Sequence, residues 1–196
     1  MATKQRGRPR SFDRDTALQQ ATRAFWEHGY EATSIADLTK AMGIGPPSLY
    51  AAFGDKRALF AEVVEAYTAA RPVDLDAAPT ARDAFAELLR ALAADYTDPA
   101  HPPGCLVISA ALTCADGEVM ASLRDRRNAN LALFEDRVRT DVAAGVLPAD
   151  TDVTALARFV GAVLQGMSLQ ARDGAGRGEL EAVVETALRA WPVPSA

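Results

Sequence analysis

A glycine and a pair of prolines between two short apolar segments constrain the fold of this chain more than any other feature. The first segment, 34–42, has apolar residues at helical spacing and stops at Gly43, and Pro46 and Pro47 follow shortly after it. Proline is tolerated in a helix only in the first turn, because its missing N–H would have no partner there. The pair therefore predicts a new helix over 46–53. Two short helices joined by a glycine-containing turn are typical of the helix-turn-helix motif, whose second helix enters the DNA major groove.

The composition extends the helical prediction to the whole chain. Alanine, the best helix former, accounts for 41 of 196 residues, whereas valine and isoleucine, which favour strands, together account for 17. Periodicity and capping signals predict helices near 13–28, 34–42, 46–53, 55–70, 80–96, 103–115, 117–144, 152–171 and 177–191. Prolines at 72 and 79 mark a break before the longer and more acidic second group of helices. We therefore expect an all-α protein.

Several classes of function find no support in the sequence. No apolar run reaches the roughly 18–20 residues that a membrane span needs, and no charged-then-apolar leader is present. Two cysteines cannot build a disulfide framework, which suits a reducing cytoplasm. The two histidines lie in different predicted domains, and there is no phosphate-binding glycine-rich loop and no dinucleotide fingerprint. We expect a cytoplasmic protein with no membrane partner, no metal, no cofactor and no enzymatic activity.

The net charge of −5 is divided unevenly along the chain. Residues 1–57 carry +3 and residues 58–196 carry −8. Arg6, Arg8 and Arg10 belong to an N-terminal stretch whose glycine and proline oppose helix formation. Guanidinium groups on such an arm suit a narrow A·T-rich minor groove, although a solvated tail has the same composition. The asymmetry suggests that the N-terminal end faces phosphates.

Several segments of the first sixty residues match a known family pattern. They are FWEHGYEATSIADL at 25–38, Gly43-Ile44, Ser48-Leu49-Tyr50, Phe53-Gly54-Asp55-Lys56 and Leu59-Phe60. With these segments the chain resembles the tetracycline-repressor (TetR) family of bacterial regulators over about residues 12–60. The resemblance implies an N-terminal three-helix DNA-binding domain with the helix-turn-helix, joined to a larger helical ligand-binding and dimerisation domain. Residues 1–11 would then form a basic flexible arm, 12–57 the DNA-binding domain and 58–196 the effector-binding and dimerisation domain.

The resemblance also assigns phosphate contacts to individual residues. Thr33 and Ser34 match family positions that bind DNA phosphates at a helix N-terminus. Tyr50 matches the phosphate-binding tyrosine of the recognition helix, and Lys56 matches a lysine at the start of the fourth helix. Hydroxyls and a cation at these places position a protein on DNA without reading its sequence.

The recognition helix departs from the family pattern because its outward face is apolar. The outward positions are Pro46, Pro47, Ser48, Tyr50, Ala51 and Ala52. No Arg, Lys, Asn or Gln, the residues that usually read guanine and adenine, lies within 44–55. We expect thymine methyl contacts from this face and a base hydrogen bond from Ser48. Arg14 and Lys40 are the alternative sources of a base contact.

Cys105 is a possible sensor because it falls in the first turn of the helix predicted over 103–115. A helix N-terminus lowers a thiol pKa and raises its reactivity, and the TetR family includes members that sense electrophiles or oxidants through a similarly placed cysteine. Cys114 would lie roughly 13 Å away at ~1.5 Å per residue, too far for a disulfide. Two ordinary buried cysteines are the alternative interpretation.

Two apolar stripes near the C-terminus predict a dimer interface of four helices. They include Leu156, Val160, Val163, Leu164, Met167, Leu180, Val184 and Leu188. The alternative is that both stripes pack only against their own subunit.

The sequence therefore predicts a homodimeric repressor that binds a palindromic DNA operator and is released by an unknown small-molecule or electrophile effector. Three other hypotheses stay open. They are an activator, a helical interaction protein without DNA binding, and a redox sensor that acts through the Cys105 thiol.

Overall fold

A computed structural model describes residues 12–192 of the chain. In this range the protein has nine helices and no strand. They are α1 (Arg14–His28), α2 (Ile35–Met42), α3 (Pro46–Phe53), α4 (Lys56–Ala69), α5 (Ala81–Tyr96), α6 (Leu106–Thr113), α7 (Gly117–Ala143), α8 (Val153–Arg172) and α9 (Arg177–Arg189). The all-α prediction is confirmed, and most helix ends agree with the sequence to within a few residues. No helix among these residues is long and apolar enough to cross a membrane.

Side chains at the helix starts explain why the boundaries could be predicted. Asp13 and Thr80 each accept hydrogen bonds from first-turn N–H groups of the helix that follows. Ser34 and Asp37 form a reciprocal capping box at the start of α2. Its hydrogen bonds, first from the Ser34 side chain and then from the Ser34 N–H, lower the pKa of the Asp37 carboxyl. These contacts satisfy N–H groups that have no partner inside the helix.

The turn between α2 and α3 has the predicted helix-turn-helix form. Gly43 adopts a left-handed conformation with φ of 66°, and its N–H caps the last turn of α2. Gly45 is the N-cap of α3, and the prolines follow in the first turn. Leu49 and Phe53 are buried against the core of the first domain. Burial of one side of α3 leaves its other side free to meet a ligand.

The second domain packs α5, α7, α8 and α9 around two further apolar clusters. Unlike the first domain, it also buries an ion pair. Arg137 donates to Asp141 over 2.7 Å, and the Asp141 carboxylate accepts a second hydrogen bond from the N–H of Ala81 over 2.7 Å. Both charged side chains are buried. Through Asp141, these hydrogen bonds connect the start of α5 to the C-terminal part of α7.

The predicted dimer residues require a correction, because most of them are core residues of a single subunit. The buried ones are Leu156, Val160, Met167, Leu180, Val184 and Leu188, whereas Val163 and Leu164 are half-buried. A second stripe on α8 is solvent-exposed or half-exposed instead, and it consists of Ala155, Phe159, Ala162, Gly166 and Leu169. The spacing of this exposed stripe places its members on one helix face.

Candidate nucleic-acid interface and second-domain cavity

The outer face of α3 is exposed and uncharged. Pro46, Pro47 and Ala51 are exposed, and Tyr50 is 51% exposed. Ser48 is half-buried and still offers its hydroxyl at the edge of this face. The sequence prediction that this helix presents apolar surface and few hydrogen-bonding groups therefore agrees with the structure.

Thr33 does not match its predicted role as a phosphate ligand. Its side chain is fully buried, and its hydroxyl donates to the carbonyl of Gly29 over 2.7 Å. The bond closes the turn between α1 and α2. Thr33 is therefore placed to position that turn, and its hydroxyl is used inside the domain.

Ser34 is exposed, but its hydroxyl already donates to the Asp37 carboxylate over 2.6 Å. A phosphate contact from this hydroxyl would have to compete with the capping box. The first-turn N–H groups of α2 point out of the helix start beside it, and such groups favour anions. The phosphate contact predicted for Ser34 is better supplied by this helix terminus than by the side chain.

Lys56 lies at the start of α4, close to the turn that Thr33 closes. Its ammonium is 4.3 Å from the centre of the Tyr30 ring and 3.5 Å from the carbonyl oxygen of Glu31. A cation above an aromatic face is held without being neutralised. Lys56 therefore lies at the edge of the helix-turn-helix, and its phosphate contact stays a prediction.

Of the two alternative base-contact residues, Arg14 is already engaged within the domain. It forms a two-pronged ion pair with Glu62, donates to the carbonyl of Ala52 over 3.3 Å, and lies 4.4 Å from the Phe53 ring centre. These contacts hold α1 against the end of α3 and occupy three of the five N–H donors of the guanidinium. Lys40 is exposed in the last turn of α2. Arg6, Arg8 and Arg10 lie outside the described residues.

Glu31 connects the two domains, and the sequence analysis did not predict this contact. Its carboxylate accepts hydrogen bonds from the N–H groups of Ala115 and Asp116 over 2.8 and 3.0 Å. Arg57 donates to Asp116 over 2.9 Å and also pairs with Glu118. The pKa of the Asp116 carboxyl is lowered, first by the N–H of Val119 and then by Arg57. The loop between α6 and α7 is thereby fastened to the DNA-facing domain.

The second domain contains a cavity of about 440 Å³, a size typical of small-molecule sites. Its wall is formed by the end of α4 and parts of α5, α6, α7 and α8, and it is mainly apolar. It also contains Tyr67, Tyr96, Arg127 and Cys105. A cavity depends on how helices are spaced, so the periodicity of the sequence gave no signal for it.

Cys105 lines this cavity, but it lies just before α6 and not in its first turn. It is the N-cap residue, half-buried, and its N–H donates to the Ser168 hydroxyl over 2.8 Å. Burial raises the pKa of the Tyr67 and Tyr96 hydroxyls, with a further contribution from the neighbouring Cys105. Both tyrosines therefore remain protonated beside the thiol.

Cys114 is buried at the other end of α6, so the two cysteines cap opposite ends of one helix and both are free thiols. Burial raises the pKa of the Cys114 thiol. His101 stacks on Trp26 at 4.4 Å between ring centres, which gives it a packing role at the domain border. Within residues 12–192 no three His, Cys, Asp or Glu side chains are grouped as a metal site would require.

The fold and the exposed helix define a helix-turn-helix protein with a second, cavity-containing helical domain. Residues 17–63 match the model for "Bacterial regulatory proteins, tetR family", and residues 79–187 match the model for "Tetracyclin repressor-like, C-terminal domain". The chain belongs to the TetR family of bacterial transcriptional regulators. The predicted family and fold are confirmed.

Three relatives illustrate how far the similarity extends. The HTH-type transcriptional repressor ComR of Escherichia coli is 37% identical over 201 residues, which cover 96% of this chain and 93% of ComR. A cysteine variant of the TetR family regulator CifR, complexed with 26-bp double-strand operator DNA, is 50% identical. It has a TM-score of 0.90 and covers 95% of this chain and 100% of its own. A TetR regulator from Rhodococcus sp. RHA1 is 41% identical with a TM-score of 0.62, over 93% of this chain and 100% of its own.

Proposed function

We propose that this chain is a homodimeric transcriptional repressor, acting in the bacterial cytoplasm. It binds a palindromic operator and leaves it when a small molecule occupies the second-domain cavity. The observation that carries the proposal is the exposed outer face of α3, held by a buried inner face and by the turn at Gly43. The complex of the related CifR variant with operator DNA supports it. The proposal does not include catalysis.

On DNA, we assign affinity and specificity to different groups. Tyr50, Lys56 and the start of α2 supply phosphate contacts, which carry no sequence information. The apolar outer face of α3 contacts base edges in the major groove. The test is binding to a duplex selected from a random pool, measured by fluorescence anisotropy over a range of salt. We expect affinity to fall steeply with salt and competing random duplex to be much weaker.

For self-association, we assign the exposed stripe of α8 in place of the buried stripes. Phe159 is 37% exposed and Leu169 is 45% exposed, and small residues between them allow a second helix to approach closely. Two α3 helices of such a dimer would reach successive major grooves, about 34–36 Å apart. A two-fold symmetric dimer explains why the operator should be palindromic, because the DNA site then has the same symmetry as the protein.

Phe159→Glu tests this interface by placing a charge at its centre. We expect a monomer in sedimentation velocity and a loss of operator affinity of about a hundredfold. Met120→Glu is the matched control, since Met120 is an apolar residue outside the α8 stripe that is somewhat more exposed, at 45%, than Phe159. If the wild-type chain is a monomer at micromolar concentration, the dimer is excluded.

The release step uses the loop that Glu31 fastens. Helix α6 follows Cys105 in the cavity wall and is capped at its other end by Cys114, and the next two residues donate to the Glu31 carboxylate. A ligand that shifts α6 would therefore move the loop that contacts the DNA-facing domain. We expect Glu31→Ala to keep operator affinity within about threefold and to weaken release by ligand. Glu27→Ala, an exposed change on α1, should weaken neither.

An electrophile that reacts with Cys105 is the second candidate effector, favoured by the place of this thiol in the cavity wall. The CifR complex with operator DNA contains a chain with three cysteines replaced, so that relative binds DNA without those three thiols. We expect thiol reagents to release the operator and Cys105→Ser to abolish this release while keeping operator affinity. A Cys105 thiol that stays unmodified in mass spectrometry of the native protein would exclude this effector class.

A further inference from the structure

We propose that the second-domain cavity takes an amphipathic organic anion, a molecule with one carboxylate and an apolar body, and that Arg127 binds the carboxylate. Only the role of this molecule as the effector that releases DNA rests on the proposed function. The binding site itself is argued from the cavity wall.

Arg127 on α7 lines the cavity and has an unused charge. Its Nη1 atom is buried and has no hydrogen-bond partner, and the side chain forms no ion pair with any residue in 12–192. Buried polar atoms without partners are rare in folded proteins, since each costs free energy. A group left in this state beside a cavity is a binding site for a hydrogen-bond acceptor.

The other two arginines of the wall differ from Arg127 because each already has a partner. Arg71 donates to Asp95 over 3.2 Å. Arg126 donates to the Thr68 hydroxyl over 3.0 Å and pairs with Glu65. Among the three arginines of the wall, the one without a partner in residues 12–192 is therefore Arg127.

The charge of the wall opposes the charge of its domain. Residues 58–196 carry −8, yet the cavity wall contains three arginines and one aspartate, a formal charge of +2. A cationic wall inside an acidic domain attracts an anion and not a cation. A neutral acceptor would satisfy the N–H of Arg127 but would leave its half-buried guanidinium without a counter-charge.

The remainder of the wall determines the body of the ligand. Its apolar side chains include Leu88, Leu92, Val107, Ile108, Leu131 and Leu164. About 440 Å³ leaves room for a chain of several methylene groups, each of which adds to the affinity when it is buried. An inorganic anion would leave this apolar surface uncovered. The two halves of the wall together specify a carboxylic acid with an apolar chain.

The test compares octanoate with octanamide, which has the same chain and no charge, and with acetate, which has the charge and almost no chain. Isothermal titration calorimetry with the full-length wild-type protein should show octanoate binding at least about tenfold more tightly than octanamide, because hydrogen bonds to charged groups are the stronger ones. Acetate should bind more weakly than either.

Arg127→Gln assigns the contact, with Arg124→Gln as the matched control, since Arg124 is an exposed arginine on the same helix and does not line the cavity. We expect Arg127→Gln to weaken octanoate about tenfold or more and to leave octanamide within about threefold. Arg124→Gln should leave both within about threefold, and Arg127→Lys should recover part of the octanoate affinity. Thermal unfolding verifies that each variant is folded.

Three results would overturn the proposal. They are wild-type protein that binds octanoate no better than octanamide, Arg127→Gln protein with wild-type octanoate affinity, and wild-type protein that binds no octanoate at millimolar concentration. The first and third need no variant. Operator binding without ligand is measured separately, so a failure of the proposed repressor function is distinguishable from a failure of the ligand site.

Discussion

The outer face of α3 and the wall of the second-domain cavity are both mainly apolar, but they differ in charge. The α3 face is exposed and uncharged, whereas the cavity wall carries three arginines. The same contrast extends to the interiors. Among residues 12–192 the two buried charged side chains are Arg137 and Asp141, both in the second domain. In the proposed function, DNA contacts an apolar helix face with charged groups at its edges, whereas the small ligand contacts a charged group inside the cavity.

This difference follows from what each ligand brings with it. DNA carries a phosphate at every step, so charge at the rim of the interface supplies affinity while the centre reads bases. A small molecule must be recognised inside a low-dielectric cavity, where one charge has a much larger effect than in water. The four predictions below test this contrast, from the largest expected effect to the smallest.

The largest effect should come from breaking the buried ion pair of the second domain. Asp141→Asn leaves the Arg137 guanidinium without its counter-charge, at an expected cost of about 3 kcal/mol in the free energy of unfolding. Urea unfolding followed by circular dichroism measures this loss. The comparison is Glu62→Gln in the first domain, which breaks a pair whose side chains are about one-third exposed. That change should cost under about 1 kcal/mol. Equal losses would contradict the contrast between the two interiors.

The second prediction compares two left-handed glycines. Gly104 has φ of 76°, and a Cβ there would lie 2.5 Å from the carbonyl oxygen of Ser168, beside the cavity. Gly43 in the helix-turn-helix has φ of 66° and no heavy atom within 4 Å of such a Cβ. Both alanine variants incur the conformational cost of about 1 kcal/mol, and only Gly104→Ala adds a clash with backbone. We expect Gly104→Ala to lower the free energy of unfolding by about 2–3 kcal/mol, measured by urea unfolding. A loss no larger than that of Gly43→Ala would show that the backbone at Ser168 moves to make room for the new methyl group.

The third prediction concerns the rim of the DNA interface. Tyr50→Phe removes one hydroxyl from a side chain that is 51% exposed, so folding should be unaffected. Operator affinity should fall about three- to tenfold, because one hydrogen bond to a charged phosphate is lost. The same factor should apply to operator and random duplex, since phosphate contacts carry no sequence information. A loss confined to the operator would mean that Tyr50 reads a base.

Much of the fold was accessible from the sequence because local side chains define it. Asp13, Ser34 and Thr80 cap the helices they were expected to begin, and the Pro46-Pro47 pair begins α3. The family motifs of the first domain added the site. Local patterns do not indicate which of two apolar faces of a helix packs against its own subunit. On α8 both faces are apolar, and the more strongly apolar one packs inside.

The site was predicted less completely, since it depends on tertiary contacts. Thr33 stands in the family position for phosphate binding, but the fold directs its hydroxyl to the Gly29 carbonyl. Arg14 is basic and near the recognition helix, yet Glu62 neutralises it from a distant part of the sequence. The unpaired Nη1 of Arg127 depends likewise on which arginines find acids in the folded chain. Sequence indicates which residues are charged, and the fold decides which charges remain available.

The smallest effects test whether an uncharged α3 face reads bases by their methyl groups. Replacing single operator thymines by uracil removes one methyl and changes no hydrogen-bonding group. Loss of one buried methyl, at roughly 0.8 kcal/mol, corresponds to about fourfold in affinity. We expect this factor for at least one thymine in each half-site, measured by anisotropy at fixed salt. Replacing guanines by 7-deazaguanine removes N7, one of the two acceptors that Arg or Lys would use, and it should change little because 44–55 contains neither residue. If no thymine matters while several guanines do, base reading belongs to Lys40 or to the arginines before residue 12, and the contrast between an uncharged reader and a charged cavity does not hold.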